Sequence, residues 1–201
     1  MTKRSLAAHT ARNYEPILEV LRDEFQGVRS VLEIGTGNGQ HATLFAAELD
    51  HLVWQTSDQN ENHASILDWL AGAGLPNVLA PLSLDVLDAS LTSDTYDAVF
   101  SANTAHIMSL VAVEKMFALV GQALRPGGTF CLYGPFRQNG EFNTDSNASF
   151  HESLRAGDSA MGIRHLEDLD RFAATGDMQR QRLYAMPANN CIATWHKAFT
   201  G

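Results

Sequence analysis

Three carboxylates and a run of glycines carry the most chemistry in this sequence. Val31-Leu32-Glu33-Ile34-Gly35-Thr36-Gly37-Asn38-Gly39 joins a short apolar stretch to a glycine-rich turn. Between a strand and a helix, such a turn lets the backbone come close to a ligand. Glu33, near the strand's end, is placed to accept a hydrogen bond from a cationic ammonium group. The glycines are spaced G-x-G-x-G, and position 40 is Gln, where a dinucleotide fingerprint would want glycine. A pyrophosphate would also be repelled by Glu33; an ammonium would not. Asp58 lies 19 residues beyond Gly39, where a carboxylate can accept both hydroxyls of a ribose. Asp85 is placed for an exocyclic adenine amine. Taken alone, a strand-end Asp is more often a turn former or a helix cap. At the tips of three successive strands, the three describe one ligand: a nucleoside with an amino-acid tail.

These tips need strands and helices behind them. Asn13–Phe25 reads as a helix, with Asn13 as cap, Pro16 in the first turn, Ile17, Leu18, Leu21 and Phe25 on one face, and Gly27 as stop. Ser30–Ile34 is a strand, followed by a helical pattern through Leu44, Phe45 and Leu49. His51–Thr56, Val78–Leu84 and Tyr96–Ser101 read as strands, and Ile66–Leu70 as part of a helix that ends at Gly72 and Gly74. Leu110–Leu124 is a helix that stops at Arg-Pro-Gly-Gly, and Thr129–Tyr133 is a buried strand. Residues 135–165 are polar and rich in Asn, Ser and Gly, too long for a plain connection. A helix over about Leu166–Thr175 precedes two strands, Arg180–Met186 and Cys191–Ala198, which make a terminal hairpin. The alternation implies an α/β fold with a mostly parallel, doubly wound sheet.

With these pieces, the chain resembles the class I S-adenosylmethionine-dependent methyltransferases from about Val28 to Ala198. The matching parts are VLEIGTGNG, Asp58, Leu84-Asp85, YDAVFSAN, LRPGG and the hairpin. Within that superfamily it is similar to a methyltransferase-like domain family without assigned activity, which includes a human methyltransferase-like protein. RNYEPIL, SANTAHI, YGPF, SNASF, GIRHLEDL and MPANN carry this second likeness. The resemblance implies a Rossmann-like sheet of seven strands, six parallel and one antiparallel, and S-adenosylmethionine as cofactor. It implies that Glu33, Gly35, Thr36, Gly37 and Gly39 surround the methionine moiety, Asp58 the ribose, and Asp85 and Val86 the adenine. Ala102 and Asn103 would then lie beside the reactive methyl. Methyltransferases acting on exocyclic or amide nitrogens often carry Asn/Asp-Pro-Pro-aromatic there. Ser101-Ala102-Asn103-Thr104-Ala105-His106 departs from that pattern, so DNA-adenine and glutamine-amide acceptors lose their main support.

Methyl transfer from a sulfonium requires alignment, exclusion of water and sometimes removal of a proton. His106, with an ordinary pKa of about 6.5, is the first candidate base, beside Asn103; a helix-capping histidine is the structural alternative. Tyr133, at the end of a strand, can orient or deprotonate the acceptor, or serve as a core aromatic. Asn143, Ser146, Asn147, Asn189 and Asn190 could line a polar pocket walled by Phe150, or simply form turns. Arg164 could bind an acceptor carboxylate or pair with Glu167 or Asp168. Arg12-Asn13-Tyr14 could close over the cofactor. The remaining histidines show no metal-ligand spacing, and no metal is expected.

Bulk composition narrows the class. The chain has 201 residues, 45% hydrophobic, which suits one domain: helix 13–27, cofactor core 28–134, lid or acceptor segment 135–165, and helix with hairpin 166–201. A formal charge of −9 without basic clusters argues against nucleic acid. No run approaches the roughly 18 apolar residues of a membrane span. The charged start, with no apolar stretch after it, is expected to be a flexible lead-in up to Arg12 rather than a secretory signal. Cys131 and Cys191 read as buried thiols in a reducing cytoplasm. The sequence thus points to methylation of a small molecule; a non-catalytic, regulatory S-adenosylmethionine-binding protein is the alternative, and a nicotinamide oxidoreductase is disfavoured. The acceptor and the oligomeric state stay open.

Overall fold

The computed structural model describes residues 8–199. In chain order the elements are α1 (Ala8–Glu24), β1 (Ser30–Ile34), α2 (Gln40–Glu48), β2 (Val53–Asp58), α3 (His63–Ala73), β3 (Val78–Ser83), β4 (Tyr96–Ala102) and α4 (Leu110–Ala123). There follow β5 (Leu124–Gly134), β6 (Phe136–Arg137), α5 (Asp145–Gly157), β7 (Arg164–His165), α6 (Leu166–Thr175), β8 (Met178–Met186) and β9 (Asn190–Lys197). Seven strands form one sheet in the order β3-β2-β1-β4-β5-β9-β8. Strand β9 is antiparallel to both neighbours, and the other six run one way. This is the expected seven-stranded doubly wound sheet with its terminal hairpin. The order reverses between β1 and β4, which opens a crevice at their carboxyl ends.

Alternate residues of each strand feed two cores. On one face Val31, Trp54 and Phe100 pack with Leu21 and Phe25 of α1 and Phe45 of α2. On the other, Leu32, Val99 and Trp195 pack with Phe117 of α4 and Phe172 of α6. Being buried on both sides, the central strands read in the sequence as continuous apolar runs.

Several elements differ from expectation, among them the short pair β6 and β7 and a β8 that starts at Met178. Helix α1 starts before Asn13, which is buried inside it; Pro16 therefore sits in the helix interior and forfeits one bond, to the carbonyl of residue 12. Strand β2 runs two residues further, placing Asp58 at its tip. Arg-Pro-Gly-Gly does not fully leave the sheet: Leu124 pairs with Tyr96, the register shifts, and Thr129 pairs with Ala98, with Gly127 at φ 79° inside the irregularity. Residues 145–157 form α5, opened by Thr144, whose hydroxyl accepts from Asn147 N. The expected flexible start falls largely outside the described residues. No helix among them is long and apolar enough to cross a membrane.

Candidate functional site

The crevice holds a cavity of about 490 Å³ at the tips of β1, β2, β3 and β4. Gly35 accepts a close approach of the β4–α4 turn: an added Cβ would lie 2.5 Å from Thr104 Cγ2, and its φ is +73°. Gly37 also has positive φ, +67°, but a Cβ there would meet nothing within 4 Å. It faces open crevice, a cradle that any side chain would fill. Gly39 turns the other way and packs on Trp69 and Ile66 of α3.

Asp58 is 9% exposed, and its oxygens accept from Gly37 N (2.6 Å), Gln59 N (2.8 Å) and Asn62 Nδ2 (2.8 Å). The strand tip and the helical turn after it thus fix the carboxylate while leaving it on the cavity wall. Asp85 accepts from Gln59 Nε2 (2.8 Å) and Leu87 N (3.0 Å). Gln59 and Asn62 were not singled out in the sequence; their position directly after Asp58 was the available signal.

The cavity brings together Gly35, Gly37, Asp58, Asp85, Val86, Ala102 and Asn103. Asn103, at φ +61°, follows β4 in a conformation rare for a side-chain-bearing residue and donates N–H to Tyr133 O. Glu33 and Thr36 stand behind the wall. Glu33 is 2% exposed and accepts from Thr36 Oγ1 and Trp54 Nε1, both at 3.1 Å. Burial pushes its carboxyl up to about 7, against the pull of those two hydrogen bonds.

His106 lies in the turn before α4, buried, with its ring edge-on to Phe150 at 5.5 Å. Burial, aided by the Arg164 cation, pushes its pKa down to about 4, so it is neutral near pH 7. Burial also raises the Tyr133 phenol; the neighbouring Asn13 and Asn190 side chains offset part of this. Asn13 in turn meets His41 Nε2 at 2.9 Å. That link between α1 and α2 had no local sequence signal.

The asparagines of the 135–165 segment are tied to the hairpin. Asn147 Nδ2 donates to Asn143 Oδ1 (2.7 Å) and Asn189 O (3.0 Å), and Asn143 Nδ2 donates to Asn189 O (3.2 Å). Asn190 donates weakly to Pro187 O and Ala188 O, both at 3.3 Å. Ser146 is exposed, and Phe150 half-exposed. Arg164 pairs with neither Glu167 nor Asp168; its guanidinium donates to Ala105 O (2.9 Å), Ala160 O (2.8 Å) and Met108 O. The two cysteines are free thiols, Cys131 buried and Cys191 half-buried. Among the described residues no three His, Cys, Asp or Glu side chains gather as a metal site.

A family model described as "Protein of unknown function (DUF938)" matches residues 4–197. Among solved structures, an O-methyltransferase family protein from Burkholderia thailandensis superposes with a TM-score of 0.79 at 11% identity, over 93% of this chain and 57% of that one. The mitomycin 7-O-methyltransferase MmcR gives 0.75 at 14%, over 87% and 50%. PigF, solved with SAH, gives 0.76 at 14%, over 90% and 61%. The chain thus spans little more than half the length of these proteins. At such identity the likeness is one of fold.

Proposed function

The chain belongs to the DUF938 family, and from that premise and the crevice we propose that it is an S-adenosylmethionine-dependent methyltransferase acting on a small molecule. The observation that carries this reading is Asp58: a carboxylate fixed at the tip of β2, across an open cradle from Gly37. Ribose hydroxyls are donors that can take the place of the Asn62 amide on that carboxylate. Asp85, steadied by Gln59, takes the adenine amine, with Val86 beside it. Glu33 lies behind the glycine turn, where an ammonium nearby would favour its ionised form. The fold shared with the methyltransferases above, one of them solved with SAH, agrees with this assignment.

When bound, the cofactor supplies an activated methyl group. The chain's own residues align and shield the acceptor. Asn103, held in its left-handed conformation, presents its amide at the reactive end of the crevice. His106, neutral near pH 7, can accept a hydrogen bond from the acceptor there, while the burial that holds its pKa near 4 makes it a weaker base than the sequence suggests. Tyr133 keeps its proton and orients. Helix α5, with Phe150 toward His106, covers the acceptor, and Asn143, Ser146, Asn147, Asn189 and Asn190 supply its polar rim. The likeness to a human methyltransferase-like protein belongs to the same proposal.

Titration calorimetry with S-adenosylhomocysteine, S-adenosylmethionine and NAD, followed by metabolite extracts incubated with methyl-labelled cofactor, tests the reading. Saturable binding of the two sulfur compounds but not NAD, with label passing to a small metabolite, is the expected result. Absence of heat with both sulfur compounds would overturn it.

A further inference from the structure

The chain carries a formal charge of −9, and the 135–165 segment itself holds four acids, yet its three guanidinium groups stand outside the ion pairs of the described residues. Arg22, Arg125, Arg171, Arg180 and Arg182 each pair with a carboxylate. Arg137 of β6, Arg155 of α5 and Arg164 of β7 pair with none among the described residues. Arg164 is a strut, spent on the carbonyls of Ala105, Met108 and Ala160. The other two are not. Arg137 lies over the Phe142 ring, 4.9 Å from guanidinium carbon to centroid, and its Nε is buried without a hydrogen-bond partner. Arg155 is exposed and donates from Nη1 to Ser159 O.

His151 joins them. Its ring meets Phe142 at 5.1 Å, and its Nδ1 accepts from Ile163 N, so the neutral ring carries its proton on Nε2. Gly162 borders both side chains: a Cβ there would lie 2.8 Å from His151 Cε1 and 3.7 Å from Arg155 Cγ. Glu152 is the one carboxylate acting on His151; it is exposed and makes no ion pair among the described residues. Phe150, the preceding residue of α5, faces His106. The Arg164 cation acts on both His106 and His151, so the arginine group borders the turn before α4.

Uncompensated cations held close repel one another, and a buried guanidinium N–H lacks its bond. An anion relieves both, and guanidinium forks match carboxylate and phosphate oxygens. We infer that Arg137, Arg155 and His151 form an anion-recognition site that binds a carboxylate or phosphate group of the methyl acceptor. Only the word acceptor rests on the methyltransferase reading; the site itself does not.

The full chain, nitrogen-labelled at arginine and histidine, is titrated by NMR with inorganic phosphate and, separately, with benzoate, with perchlorate as control. We expect saturable shifts of Arg137 Nε–H and of the His151 ring with phosphate or benzoate. The ion that saturates at the lower concentration tells phosphate from carboxylate. Arg137→Gln should weaken that binding about tenfold or more, and Arg155→Gln, at an exposed position, answers should the first variant fail to fold. S-adenosylhomocysteine affinity should stay within about twofold in both. Shifts absent below about 100 mM, equal with perchlorate, or unchanged in the variants would overturn the site. If the anion binds and S-adenosylhomocysteine does not, the site stands and the methyltransferase reading falls; the converse removes this inference alone.

Discussion

The tips of β1 to β3 and the 135–165 segment are held in place by different means. At the strand tips, the acids are carried by sheet register: Glu33 sits opposite Thr56, and Asp58 opposite Ser83. Moving them means breaking ladder hydrogen bonds. The 135–165 segment carries three arginines beside four acids, and it is hooked on by a few side-chain bonds, chiefly Asn147 and Asn143 on Asn189 O and Arg164 on the carbonyls of Ala105 and Met108. Such bonds can be released without unfolding the sheet. The part of the molecule suited to a constant ligand is thus built into the scaffold, and the part suited to a variable acceptor is fastened onto it.

The largest test of that contrast is Asp58→Ala. Two charge-assisted hydrogen bonds, worth about 1.5–3 kcal/mol each, imply a loss of S-adenosylhomocysteine affinity of about 100-fold or more. Calorimetry reads it, and affinity within about threefold of wild type would show that the strand tips do not hold the ligand.

Two buried titratable groups, Glu33 of β1 and His106 against Phe150 of α5, probe the contrast by pH. His106 stays neutral in the fold down to about 4, whereas an unfolded imidazole takes its proton at about 6.5. Between those values the unfolded state binds the extra proton, so this contribution is complete above 6.5 and lost as pH falls toward 4. At the limit it reaches about 3 kcal/mol. Glu33 slopes oppositely: its folded pKa near 7 lies above the ordinary 4.5, so its contribution is complete below 4.5 and lost as pH rises through 7. Urea midpoints at several pH values should show the acid-side loss vanish in His106→Gln and the alkaline-side loss vanish in Glu33→Gln. Unchanged pH profiles would remove the burial explanation for both.

Next in size is the division between two glycines. Gly35→Ala drives a methyl into Thr104 and should cost about 2–3 kcal/mol of stability in urea unfolding. Gly37→Ala meets no protein atom and should cost only about 1 kcal/mol, for its backbone conformation, while blocking S-adenosylhomocysteine. Equal stability losses would mean that Gly37 is a packing glycine as well.

The smallest effect probes the hooks. Asn147→Ala removes both of its donors and should cost about 1–2 kcal/mol. Native-state hydrogen exchange should quicken in α5 and leave β1, β4 and β5 unchanged. Uniform quickening would mean that α5 opens only with the whole sheet.

Legibility followed the range of the interactions. Strand β1 and helix α6 read at their observed bounds, and α4 to within a residue, because unbroken apolar runs, helical periodicity and Gly or Pro stops act within a few residues. Helix α5 did not. It buries little but Asn147, so it shows no apolar face, and its Asn and Ser residues read as turns. Helix α1 begins before the sequence suggests, because Pro16 and Asn13 look like a start. Asn13 is instead held by His41, a partner 28 residues away that no local rule supplies. Of the crevice residues, the glycines and Asp58 were plain from spacing, while Gln59 and Asn62 were not.

The sequence by itself determined the order of the seven sheet strands and of every helix but α5, the glycine turn and the three acids, since backbone preference and periodicity are short-range properties of the chain. Only the tertiary structure decided that Glu33 faces Trp54 rather than open crevice, that His106 is buried beside Arg164 and Phe150, and that Arg137 pairs with no acid among the described residues. Side-chain direction, burial and charge pairing depend on neighbours brought from distant parts of the chain, and those neighbours exist only once the sheet has formed.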